Sequence, residues 1–138
     1  MLSYSISRLK YEEFLRFYLA LAILKQNTSE KNKKGKEFDQ KKVDEFIQSF
    51  GFSLTKDQNK ASEDILKDLA STSTMYRLVQ GEVGCGKTAV AMISLYANYL
   101  SGFQGALMAP TEILAKQHAL SLRKQMEPFG VKVARPST

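Results

Sequence analysis

Cysteine is nearly missing from this 138-residue chain, and histidine occurs once. A single cysteine, Cys85, cannot close an internal disulfide, so a reducing compartment, the cytoplasm, is the expected location. The lone His118 sits in a helical stretch without a nearby Cys, His or Asp partner, which reads as a structural or surface residue rather than a metal ligand. Long apolar runs are also lacking. The longest, Phe17 to Leu24, is eight residues, whereas crossing a bilayer takes roughly 20. Glu12, Glu13 and Arg16 interrupt the approach to that run and Lys25 follows it, which argues against a secretory signal. No membrane partner is therefore expected. What is present is ordinary for a folded domain: 43% apolar and 25% charged residues exclude collagen-like, mucin-like and wholly disordered chains. Twenty Lys and Arg against fourteen Asp and Glu give a net charge of +6, a balance that favours polyanionic partners without locating a site.

The chain divides into two parts. Residues 1–50 read as a helical connector. Arg8 to Lys25 has no Gly or Pro and carries Leu9, Tyr11, Phe14, Leu15, Tyr18, Leu21, Ala22 and Leu24 over a wide face, so this helix is expected to be buried against something. A Lys-rich polar stretch at 26–36 reads as a solvated loop. Val43, Phe46, Ile47 and Phe50 then mark a second helix that Gly51 is placed to end. Residues 51–138 read as an incomplete α/β domain. Thr55 can cap a helix with Ala61, Ile65, Leu66 and Leu69 on its apolar face. Met75–Gln80, Gln104–Ala109 and Val131–Ala134 are strand candidates, with helices expected over Lys87–Leu100 and from Thr111 to about Met126. That order predicts a parallel sheet with crossover helices, and no internal repeat is visible.

Gly81-Glu82-Val83-Gly84-Cys85-Gly86-Lys87-Thr88 fits G-x-x-x-x-G-K-[ST] between an expected strand and an expected helix, the context this pattern requires. Glycines let the backbone turn with φ > 0, so that successive N–H groups converge on one anion. The helix adds its positive end to the same point. Lys87 supplies a cation for the β- and γ-phosphates, and the Thr88 hydroxyl can hold Mg²⁺. Cys85 and Glu82 fill free positions of the loop. Cys85 reads as a small side chain that fits there, and the charge of Glu82 argues against direct phosphate contact.

Gln58 lies 23 residues before Gly81. Its amide can accept from adenine N6–H and donate to N7. Equally, Thr55-Lys56-Asp57-Gln58 is a capping box, and spacing leaves both readings open. Phe50 and Phe52 can stack on a base, although core packing is the stronger reading. Met108 to Leu114 follows the second strand candidate, where open parallel sheets place ligands. Pro110, Thr111 and Glu112 there can meet a nucleic-acid phosphate, or Thr111 can be an ordinary N-cap.

Taken together, Leu54-Thr55-Lys56-Asp57-Gln58, the run from Met75 to Thr88 and the run from Ala106 to His118 resemble the RecG family of bacterial ATP-dependent DNA helicases. Arg8 to Leu15 looks like that family's helical connector between a DNA-reading wedge and the motor. The transcription-repair coupling factor Mfd has a similar motor, but Met108-Ala109-Pro110-Thr111-Glu112-Ile113-Leu114-Ala115 looks more like RecG. The resemblance implies a RecA-like lobe and an ATP and Mg²⁺ site at Gly81–Thr88 that includes Phe52 and Thr55. It further implies adenine reading by Gln58, DNA contact at Pro110, Thr111 and Glu112, and branched DNA as partner.

The same resemblance exposes a shortage of acids. Such motors use an Asp-Glu pair on a later strand to hold Mg²⁺ and orient water, whereas here the last aspartate is Asp68 and the only acids after Thr88 are Glu112 and Glu127. The expectation is a piece of a larger motor that binds nucleotide at most, unless a companion chain supplies the rest. The tail Arg135 to Thr138 departs from the family's continuation, as a shortened or shifted reading frame would. Two readings from other classes remain: a non-catalytic nucleotide-binding or interaction remnant, and a small P-loop kinase. Three strands without neighbours would leave an apolar edge exposed, which predicts poor folding in isolation.

Overall fold

The computed structural model of the protein describes the backbone of residues 2–29 and 33–134, and side chains within 8–24 and 33–134. Among the described residues five α-helices follow one another: α1 (Leu2–Ser29), α2 (Gln40–Gln48), α3 (Lys56–Ala70), α4 (Lys87–Leu100) and α5 (Glu112–Met126), the last running into a 3₁₀ turn at Glu127–Phe129. Local chemistry explains the starts of α2, α3 and α5. Asp39 accepts from Lys41 N, Thr55 from Gln58 N and Thr111 from Leu114 N, each satisfying an orphan N–H of a first turn. Pro128 enters the 3₁₀ turn, and Gly130 leaves it at φ +82°.

Helix α4 occupies the centre and packs against α2, α3 and α5. Its Val90, Met92, Ile93, Tyr96 and Ala97 meet Val43 and Phe46 of α2, Ile65, Leu66 and Leu69 of α3, and Leu122 and Met126 of α5 in one buried cluster. Phe46 is its hub. The ring stacks on Tyr96 at 4.3 Å between centroids and meets Phe50 and Phe129 edge-on at 5.1 and 5.2 Å, geometries that the ring quadrupoles favour. The Ser62 hydroxyl of α3 is buried without a hydrogen-bond partner among the described residues.

Three expectations change. First, α1 extends beyond Arg8–Lys25 to Leu2–Ser29, and its side chains from Arg8 to Leu24 are exposed except for half-exposed Glu12. The apolar face is there, but these residues supply nothing to cover it.

Second, the loop expected at 26–36 begins as helix, and 30–32 fall outside the described residues. Its last part is a strap, not a solvated loop. Lys33 Nζ donates to Asp68 O and Leu69 O at 2.9 and 3.1 Å, and Lys33 N and Lys36 N donate to Thr72 O and Leu69 O. Carbonyls at the end of α3 thus accept from lysine, and Asp68 O accepts from the Ser71 N–H and hydroxyl as well. Lys36 Nζ bonds the Asn98 side chain and lies 4.9 Å from the centre of the Phe103 ring. Burial and the nearby Lys33 charge lower its pKa. Gly35 permits the approach, because a Cβ there would collide with Ala70 O.

Third, no strand occurs among the described residues: 75–80, 104–109 and 131–134 carry no regular structure. A strand exists through ladder bonds to a neighbour, and these three segments do not pair. Tyr76 and Leu78 are 87% and 85% exposed, so one side of the layer of helices is bare where a sheet would be expected. The tail Arg135 to Thr138 lies outside the described residues.

Candidate nucleotide-binding site

The phosphate loop runs from Gly81 into the first turn of α4. Gly84 and Gly86 adopt φ +85° and +79°, the left-handed region that side chains resist. Cys85 N donates to Glu82 O at 3.3 Å, closing the turn. Gly86 is the N-cap of α4 and offers no side chain to the helix N–H groups. An uncapped end of a 14-residue helix is suited to an anion. Lys87 reaches back over the loop. Its Nζ donates to Gly81 O at 2.6 Å, Glu82 O at 2.7 Å and Cys85 Sγ at 3.6 Å. The glycine turn, bare helix end and ammonium together fit a polyphosphate. Glu82, Val83 and Cys85 are exposed and Thr88 is half-buried.

Gln58 joins this loop from α3. Its Nε2 donates to Cys85 O at 2.8 Å, and its Oε1 accepts from Thr55 N at 2.9 Å. Its backbone N donates to Thr55 Oγ1 at 3.2 Å, so the capping box is formed in both directions. Gly86 leaves room for this arm, since a Cβ there would strike Gln58 Nε2. The capping reading is thus realised, and the same side chain also engages the glycine loop. Phe52 stacks on Phe50 at 5.6 Å with 56% of its surface exposed. Its partner Phe50 joins the core through Phe46.

The other expected site residues lie at the start of α5. Pro110 and Thr111 are exposed. The Thr111 oxygen accepts from Leu114 N at 3.3 Å, which leaves its O–H able to donate. Glu112 pairs with Lys116 at 2.8 Å. Among the described residues, no group of His, Cys, Asp or Glu is placed to hold a metal, and no helix is long and apolar enough to cross a membrane.

One cluster escaped the sequence reading. Arg77 Nε donates to Asp68 Oδ2 at 2.7 Å, and Nη1 lies 3.7 Å from Asp64 Oδ2. The hydrogen bond from Arg77 holds the Asp68 carboxyl below its ordinary pKa, and the reciprocal bond raises that of Arg77. The i, i+4 aspartates were the available signal.

Comparison with known proteins identifies the lineage. Residues 55–137 match the DEAD/DEAH box helicase family. The ATP-dependent DNA helicase RecG of Bacillus subtilis is 47% identical over 128 residues, covering 92% of this chain and 19% of that protein. RecG of Aquifex aeolicus is 40% identical, covering 92% and 16%. The transcription-repair-coupling factor of Helicobacter pylori is 54% identical over 85 residues, covering 62% and 8%. A solved structure of RecG bound to a three-way DNA junction superposes with a TM-score of 0.74 at 39% identity, over 88% of this chain and 16% of that one. The chain therefore spans less than a fifth of the length of these RecG relatives. It belongs to the DEAD/DEAH box helicase family, and over most of its length it is similar to the RecG helicases.

Proposed function

We propose that this chain is the nucleotide-gripping part of a cytoplasmic, RecG-like motor that remodels branched DNA. The observation that carries the reading is the loop itself: two left-handed glycines and the Lys87 ammonium at an uncapped helix start. In this reading the amides of Gly81–Lys87 and Lys87 Nζ receive the phosphates of ATP, the ammonium exchanging neutral carbonyl acceptors for anionic oxygens. Gln58 reads the adenine edge, and Phe52 with Thr55 borders it. Thr88 is the residue that would hold Mg²⁺, which would neutralise phosphate charge when bound. Pro110, Thr111 and Glu112 touch a DNA strand, with the free O–H of Thr111 as the donor to phosphate.

The three unpaired segments become strands of a RecA-like parallel sheet when neighbouring strands are supplied. Hydrolysis needs a further acid beyond Glu112 and Glu127, so the role read for these residues is the grip on nucleotide and not its turnover. A second reading, an interaction module that binds no nucleotide, draws on one observation: Lys87 is already satisfied by Gly81 and Glu82.

Titration with a fluorescent ATP analogue and Mg²⁺ separates the two. The first reading expects saturable binding that Lys87→Ala weakens about tenfold or more, the scale of a lost charged hydrogen bond. Binding that is absent, or indifferent to Lys87→Ala, supports the second.

A further inference from the structure

Helix α3 is fastened to the phosphate-loop segment at two places. Near its start, Gln58 Nε2 holds Cys85 O. Further along, Asp64 and Asp68 hold Arg77, which lies four residues before Gly81. Gln58 and Asp68 are about 15 Å apart along the axis at the α-helical rise. Between the fastenings and just past them, Ile65, Leu66 and Leu69 pack into the core beside α4. Apolar contact is non-directional, so it keeps α3 on the core yet tolerates small sliding and rolling. Directional bonds remove that freedom.

We propose that Arg77 is a positioning residue for base recognition: gripping Asp64 and Asp68, it fixes α3 relative to the phosphate loop and so sets where the Gln58 amide stands. The inference rests on the adenine-reading role of Gln58 given under Proposed function. The guanidinium suits the task because its rigid fork spans two carboxylates one helical turn apart, whereas an ammonium is a point charge without that geometry. Lys33 braces the same spot, with its Nζ on Asp68 O. Arg77 touches no phosphate in this scheme. Its effect reaches the ligand through α3, so it should alter base preference and leave the phosphate grip alone.

The test compares the intact chain with Arg77→Met, Arg77→Lys and Gln58→Ala in titrations with ATP, GTP and inorganic tripolyphosphate, each with Mg²⁺. Helical circular dichroism checks that each variant is folded. Arg77→Met is expected to weaken ATP about two- to fivefold, the range for a directional pair at a solvent-facing site, with GTP and tripolyphosphate unchanged. Arg77→Lys, which keeps the charge, should fall between wild type and Arg77→Met and covers the case in which methionine disturbs folding. Adding Arg77→Met to Gln58→Ala should produce no further loss, because the residue acts through the glutamine. An unchanged ATP to GTP ratio in both Arg77 variants, or an equal loss for all three ligands, overturns the positioning role. A wild-type ratio of one instead overturns base reading by Gln58, and the proposal with it.

Discussion

Gln58 and Cys85 are tied side chain to backbone across 27 positions of sequence: Nε2 donates to the carbonyl oxygen at 2.8 Å, while Oε1 of the same amide caps α3 through Thr55 N. One residue thus serves helix and loop, and two substitutions separate the duties. Gln58→Glu keeps an acceptor for Thr55 N but cannot donate to Cys85 O; Gln58→Ala loses both. Urea unfolding should find the glutamate variant close to wild type and the alanine variant destabilised by about 1 kcal/mol, the size of a lost cap. Both should lose preference for ATP over GTP.

Nucleotide binding should be visible as stabilisation. A ligand at one hundred times its Kd stabilises the folded state by about 2.7 kcal/mol. Differential scanning fluorimetry with Mg-ATP should therefore show a rise of several degrees that Lys87→Ala removes. No rise at saturating ligand would count against the site.

The strap makes a sharper prediction. A methyl group at Gly35 meets the Ala70 carbonyl, and backbone cannot swing aside as a side chain can. Gly35→Ala should cost about 1–3 kcal/mol and free Lys33 and Lys36 from α3 and Asn98. Amide exchange at Lys33 and Lys36, whose N–H groups bond Thr72 and Leu69, should accelerate. Unchanged protection there would show that the strap is not held by close approach.

Ser62 offers a change in the other direction. Its buried hydroxyl has no partner among the described residues, and such a group costs about 1–3 kcal/mol. Ser62→Ala removes the polar atom while keeping the backbone, so the midpoint of urea unfolding should rise.

Acid should weaken the grip on α3. The Asp68 pKa is lowered, first by the hydrogen bond from Arg77. A depressed folded pKa contributes stability that is fully present above the unfolded value, near 3.9, and is lost as pH falls through the folded one. Stability measured from pH 6 downward should decline more steeply below about pH 4 in the wild type than in Asp68→Asn. Parallel curves would remove the ion pair from the account.

Which features were legible in the sequence follows from the range of the forces involved. Thr55, Thr111 and the start of α4 at Lys87 were readable because caps and glycine turns are settled within a few residues. The core stripe of α3 was readable from the spacing of Ile65, Leu66 and Leu69. The strands were not, because the apolar run at Met75–Gln80 reveals a preference and not the neighbour that a ladder requires. Lys33 and Lys36 were read as solvated since their composition is that of a linker; their partners, the carbonyls ending α3 and the Asn98 amide, are over thirty positions away. Arg77 is closer to its partners, nine and thirteen positions after Asp68 and Asp64, but the break at the end of α3 hides that they meet. At the site, the phosphate loop was legible as a motif, whereas the double engagement of Gln58 emerged only when α3 and the loop were brought together.

The bare α1 has a practical consequence. A greasy tail joined to a cationic head is the build of a surfactant, and such molecules gather at air–water boundaries, on plastic and on one another. Losses to the vessel wall on dilution, and their reduction by a trace of mild detergent during preparation, are what such an exposed apolar surface leads one to expect.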